Sequence, residues 1–192
     1  MTATNPAVSS AVSLDEMRSR TVVTRSPSEP RSRRAGVRAQ RLDMGAHSVV
    51  THSPEETIAF GHELAHELTA PVLVLLLGEL GAGKTTLAKG LVAGLGAAPE
   101  EEVTSPTFTM IHEYAGRNNV ARVYHVDLYR VETARELETL GLEDLLAEQA
   151  VVIVEWGEKL GPALRPSAPG RLIEIHMEAV SENERRIEIR AA

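Results

Sequence analysis

Apolar residues follow two patterns along this chain, and their alternation sets the expected fold. Val72-Leu-Val-Leu-Leu-Leu77 is apolar at every position, and Ala150-Val-Val-Ile-Val154 repeats the pattern before Glu155 and Trp156. Such runs predict strands buried on both faces. Between and around them the period changes. Ile58, Leu64, Ala65 and Leu68 predict one helix, with Ser53 as N-cap, Pro54 at N1 and Glu56 at N3 in a capping-box pattern. A second helix is expected from about Lys84 to Leu95, and two short ones in TARELETL and LEDLLAEQ, on either side of Gly141. SVVTHSPEE predicts a short strand and a turn, and GAAPEEE a loop. Val103 to Tyr114 begins as a loop and continues as a strand, Gly116 to Asn119 is a hairpin-type turn, and the next strand ends near Asp127. After the proline-rich PALRPSAPG, the segments RLIEIHME and ERRIEIR alternate apolar and polar residues and pair as a C-terminal hairpin. The expected fold is α/β, a mixed sheet with helices on both faces.

Residues 1–47 stand apart. They are rich in Ser, Thr, Pro, Arg and Ala, lack apolar periodicity and read as a disordered basic tail. A solvated tail, a translation start at Met44, and a functional basic arm or transit peptide remain open readings. The tail carries eight Arg against four acidic residues, whereas residues 48–192, read as one domain, carry an excess of eleven acidic charges. Such a body does not favour nonspecific nucleic-acid binding. Cysteine is absent, excluding disulfides and thiolate metal sites. No run of about eighteen apolar residues suggests a membrane span, and no apolar signal segment lies near Met1. A cytoplasmic location is expected.

The chemistry concentrates at Gly78-Glu-Leu-Gly-Ala-Gly-Lys-Thr85, which fits G-x-x-x-x-G-K-[ST] between an apolar strand and a helix. In such a loop Gly81, Ala82, Gly83, Lys84, Thr85 and Thr86 surround a phosphate chain. Lys84 reaches the β- and γ-phosphates, and the Thr85 hydroxyl binds Mg²⁺. A carboxylate is needed nearby, and two strands end in one, at Asp127 and Glu155. Thr104-Ser-Pro-Thr-Phe108 is either a phosphate-sensing segment or an ordinary Ser-Pro turn. His125 reads as structural rather than catalytic, and Trp156 as core packing or a fluorescent reporter beside the site. His62 and His66 formally match H-E-x-x-H, but no third ligand is evident and zinc is not expected.

GELGAGKTT, TSPTF, HVDLYR and VEWGE, in this order and spacing, resemble the TsaE (YjeE) family over about Ser48 to the C-terminus. The resemblance implies a three-layer, P-loop NTPase-like fold and an ATPase needed to make threonylcarbamoyladenosine in tRNA. It implies Mg²⁺ held by Thr85 and Glu155, with Asp127 near the phosphates and metal water. It makes Ser105 and Thr107 members of a switch, and it places the base near Ser53 to Thr57. The implied partners are TsaD and TsaB, with tRNA reached indirectly through the complex. TsaD transfers the threonylcarbamoyl group, and the ATPase resets the complex. Arg130 is then either a charge stabiliser or a surface residue pairing with Glu132 or Glu136. A small-molecule P-loop kinase and a noncatalytic nucleotide-binding scaffold are the competing readings.

Overall fold

The computed structural model describes residues 47–191, apart from 117–119, 121, 162–163 and 165–170. The expected tail as far as residue 46, most of the GRNN turn and most of the proline-rich loop lie outside the described residues, and His47, expected in the tail, opens the first strand. The elements in chain order are β1 (His47–Thr51), α1 (Pro54–Ala65), β2 (Val72–Leu77), α2 (Lys84–Gly94), β3 (Ile111–Ala115), β4 (Arg122–Asp127), α3 (Ala134–Thr139), α4 (Leu142–Ala147), β5 (Ala150–Glu155), β6 (Arg171–Ala179) and β7 (Arg185–Ala191). The seven strands form one sheet in the order β1-β7-β6-β2-β5-β4-β3.

The central strands are the uniformly apolar ones. β2 runs parallel to both β5 and β6, and β5 runs parallel to β4. The outer pairs β1–β7, β6–β7 and β3–β4 are antiparallel, so the C-terminal hairpin forms as expected. Successive side chains of a strand leave opposite faces of the sheet, and β2 feeds two cores in this way. Val72, Val74 and Leu76 join Phe60 and Leu64 of α1 and Leu87 and Leu91 of α2. Leu73 and Leu75 join Tyr124, Val126, Val152, Val154 and residues of α3 and α4, including Leu137, Leu142 and Leu146. The result is a three-layer α/β sandwich. No helix among the described residues is long and apolar enough to cross a membrane.

Local chemistry sets the helix ends. Ser53 Oγ accepts the Glu56 N–H at 3.1 Å, as the N-cap pattern requires. The Glu56 carboxylate differs from the expected box, because it takes the N–H of His52, one residue outside the cap, at 2.7 Å. Helix α1 also stops at Ala65, short of Leu68. His66, Glu67 and Leu68 continue in tighter turns, bonding to carbonyls three residues back, and Leu68 still packs into the core. Thr133 and Glu136 complete a reciprocal capping box at α3. GAAPEEE contains a single 3₁₀ turn at Glu100–Glu102.

Helices α1 and α2 touch backbone to backbone. A Cβ at Gly90 would stand 2.2 Å from the carbonyl oxygen of Ile58, and one at Gly61 would stand 2.9 Å from the Cα of Gly90. Only residues without a Cβ fit this crossing. Gly90→Ala is therefore expected to lower stability by about 1–3 kcal/mol through overpacking, read as a lower urea midpoint with an unchanged slope.

Candidate functional site

The loop between β2 and α2 turns on residues that an L side chain would strain. Gly78, Gly81 and Gly83 have φ of 143°, 81° and 96°. This backbone wraps one side of a cleft of about 420 Å³. Gly81, Gly83, Lys84, Thr85 and Thr86 line it, together with Ser105, Thr107, Asp127 and Glu155 from the rest of the chain. Ala82 does not line it. Its N–H goes to the Glu79 carbonyl at 3.1 Å, and its methyl group is buried in the core. Pro54 and Thr57, within the segment expected near the base, also border the cleft.

Register explains the meeting of the carboxylates. Asp127 and Glu155 are cross-strand partners at the ends of β4 and β5. They stand beside the P-loop because β5 is also the parallel neighbour of β2. Each is only 3% exposed, and each has its oxygens engaged. Glu155 Oε2 accepts the Thr85 hydroxyl at 2.9 Å, and Oε1 meets His125 Nε2 at 2.8 Å. Asp127 Oδ2 accepts the hydroxyls of Ser105 at 2.8 Å and Thr107 at 2.6 Å, while Oδ1 accepts the Tyr129 N–H at 2.8 Å. TSPTF is therefore anchored to the site through Asp127. Thr85 and Glu155 present two hard oxygen donors side by side, a set that suits Mg²⁺, which takes few protein ligands and completes its shell with water and phosphate.

Lys84 is 5% exposed. Its Nζ donates to the carbonyls of Gly78 at 2.6 Å and Glu79 at 2.9 Å, and lies 3.8 Å from the centre of the Trp156 ring. Burial pushes its pKa below the ordinary lysine value, against the opposing pull of Glu155, Glu158, Asp127 and Glu79. Trp156 reaches this position from a left-handed backbone at φ 59°, and its ring also packs against Tyr129 at 5.1 Å between centroids.

The histidines divide. His62, from the H-E-x-x-H match, pairs with Glu100 at 2.7 Å. His125 is fully buried against Glu155. Its Nδ1 has no partner among the described residues. An ionised carboxylate only accepts, so Nε2–H donates to Glu155 Oε1. Arg130 pairs with neither expected glutamate: its guanidinium lies over the Phe108 ring, 4.4 Å from the centre. Glu136 instead accepts backbone N–H groups at the start of α3.

Glu182, Asn183 and Arg185, from the β6–β7 turn and the start of β7, also line the cleft, as do Leu80, Tyr129 and Trp156 near the P-loop and the ends of β4 and β5; the three hairpin residues are the distant ones. Sequence reasoning missed them, because finding them requires knowing that β6 lies next to β2 in the sheet. No residue-type pattern within the hairpin carries that information.

A parallel sheet core, a glycine-turned loop opening a helix, and two acidic strand ends beside it define a P-loop NTPase-like α/β protein. A family model described as threonylcarbamoyl adenosine biosynthesis protein TsaE matches residues 51–187. The tRNA threonylcarbamoyladenosine biosynthesis protein TsaE of Treponema pallidum is 33% identical over 140 residues, covering 73% of this chain and 97% of that protein. Its counterpart in Bacillus subtilis is 41% identical over 138 residues, covering 71% and 80%. The crystal structure of Bacillus subtilis YdiB superposes with a TM-score of 0.55 at 32% identity, covering 77% of this chain and 85% of that one. The chain belongs to the TsaE family.

The His125–Glu155 contact makes a prediction independent of any ligand. His125→Leu leaves a buried carboxylate oxygen without its donor and is expected to cost about 1–3 kcal/mol. His125→Gln, which keeps an N–H donor, should recover part of that loss. Urea denaturation of the two variants beside the parent protein checks the order.

Proposed function

We propose that this protein is a Mg²⁺-dependent ATPase that binds a TsaB–TsaD complex and resets it between turnovers. That complex makes threonylcarbamoyladenosine next to the anticodon of tRNAs reading codons that begin with A. The protein does not itself transfer the threonylcarbamoyl group. The observation that carries the ATPase reading is the convergence of Lys84, Thr85, Asp127 and Glu155 on one cleft from β2–α2, β4 and β5. Family membership favours this reading over a small-molecule kinase or an inert scaffold.

In this reading the P-loop N–H groups and the positive end of α2 receive the phosphate chain. Lys84 moves its ammonium from the Gly78 and Glu79 carbonyls to phosphate oxygens. Thr85 and Glu155 hold Mg²⁺, which would neutralise phosphate charge and orient the terminal group. Asp127 holds Ser105 and Thr107 and lines the cleft that would take the terminal phosphate and its metal-bound water. Water adds to the terminal phosphorus, the bond to the bridging oxygen breaks, and ADP and phosphate leave. Asp127 thus links hydrolysis to the TSPTF segment, whose Phe108 is 84% exposed and accessible to a partner.

Two outcomes are expected. Phosphate release from ATP should be slow for the protein alone, rise strongly with TsaB–TsaD, and disappear in Glu155→Ala. Absence of stimulation, together with phosphate transfer to a small acceptor, would restore the kinase. Nucleotide affinity should also depend on pH through Lys84. The free protein holds the Lys84 pKa low, and bound phosphates raise it. Affinity is therefore constant below the depressed pKa and falls by about tenfold per pH unit above it, until the pKa of the complex is reached. Titration of Trp156 fluorescence with ADP across alkaline pH reads this slope, and Lys84→Met should remove it.

A further inference from the structure

The cleft has two walls. β4 and β5 carry Asp127 and Glu155 on one side of β2, and β6 and β7 lie on the other side. The P-loop leaves β2 between them. Arg185, the first residue of β7, lines the cleft on the hairpin wall. A Cβ at Gly83 would lie 3.6 Å from both its Cγ and its Nε, so the arginine stem rests against the P-loop glycine.

The guanidinium is fixed at one corner. Its Nη1 donates to the carbonyls of Ser181, Glu182 and Glu184 at 2.9, 3.1 and 2.9 Å. The turn that supplies these carbonyls is itself pinned, since Glu184 Oε1 meets His52 Nδ1 at 3.0 Å. Nε and Nη2 have no acceptor among the described residues. These two atoms form the guanidinium edge that presents parallel N–H donors, the geometry that grips two oxygens of one phosphate.

We infer that Arg185 is a second phosphate-binding cation, holding the α- and β-phosphates of the nucleotide from the hairpin wall. The inference rests on the nucleotide-binding reading above. Lys84 lies toward the opposite wall, with its ammonium over Trp156 and attracted by Glu155 and Asp127. The terminal phosphate belongs at that end, which leaves Arg185 beside the part common to ADP and ATP. Arg185 therefore acts on binding of both nucleotides equally and not on the step that breaks the terminal bond.

The test is fluorescence titration of the full chain with ADP and with ATP, alongside basal hydrolysis, in Arg185→Gln and Arg185→Lys. Arg186→Gln serves as the control. Arg186 is adjacent in the same hairpin but bonds to Glu178 at 2.7 Å on the other face of the sheet. Arg185→Gln is expected to weaken ADP and ATP alike by about tenfold or more, raising KM with kcat within about twofold. Arg185→Lys should lose severalfold, because one ammonium does not span two oxygens. Arg186→Gln should match the parent. Thermal melting confirms that each variant is folded, and Arg185→Lys decides if Arg185→Gln is not. Parental affinity for both nucleotides in the folded variants overturns the inference. So does a loss confined to kcat with ADP affinity intact, which would place Arg185 at the terminal phosphate. If the parent protein binds neither nucleotide, the nucleotide reading itself fails.

Discussion

The parallel pairing of β4, β5 and β2 is the constraint on which the rest of the structure depends. Parallel neighbours cannot be joined by a tight turn, so each connection must cross a face of the sheet. That requirement brings helices to both faces and lets the strands be apolar throughout. It also sends the C-terminal ends of the three strands to one edge, where the polar groups that end β4 and β5 meet the loop that ends β2. Ligand sites of open α/β sheets gather at this edge for the same reason. The cleft is a consequence of strand direction before it is a consequence of any one side chain.

Burying two carboxylates and a lysine there carries a cost, because water is lost around each charge. The protein offsets it by mutual engagement. Glu155 is held by Thr85 and His125, Asp127 by Ser105, Thr107 and the Tyr129 N–H, and Lys84 by two loop carbonyls and an aromatic face. Burial still holds the Lys84 pKa below the ordinary lysine value, and in the proposed function a bound phosphate chain would supply the missing negative charge.

The parts legible in the sequence are those whose signal is local. The uniformly apolar runs identify β2 and β5, the glycine spacing identifies the loop, and a carboxylate closing each of two strands identifies Asp127 and Glu155. What could not be read depends on contacts distant in sequence. Strand order decides that Arg185 reaches the P-loop. Registry between β4 and β5 decides that His125 holds Glu155, although it stands only two residues before Asp127 and reads alone as a structural histidine. Arg130 was legible as a cation near the site, but its stacking on Phe108 depends on how the TSPTF segment folds back. Even the end of α1 shows the limit. The apolar pattern continues to Leu68 because the chain still packs there, although the hydrogen bonding has already tightened.

Strand order also has a consequence for how the protein is made. β2, among the earliest strands to leave a ribosome, has β6 as one of its neighbours, and β1 pairs with β7. A nascent chain can therefore assemble β2 with β5 and β4 but leaves one side of β2 and all of β1 waiting for the final hairpin. Pairings this distant in sequence form slowly. The second wall of the cleft arrives with the same segment. Completion of the sheet and completion of the site are thus a single late event, and a chain interrupted before its last two strands carries the motif without the finished cleft.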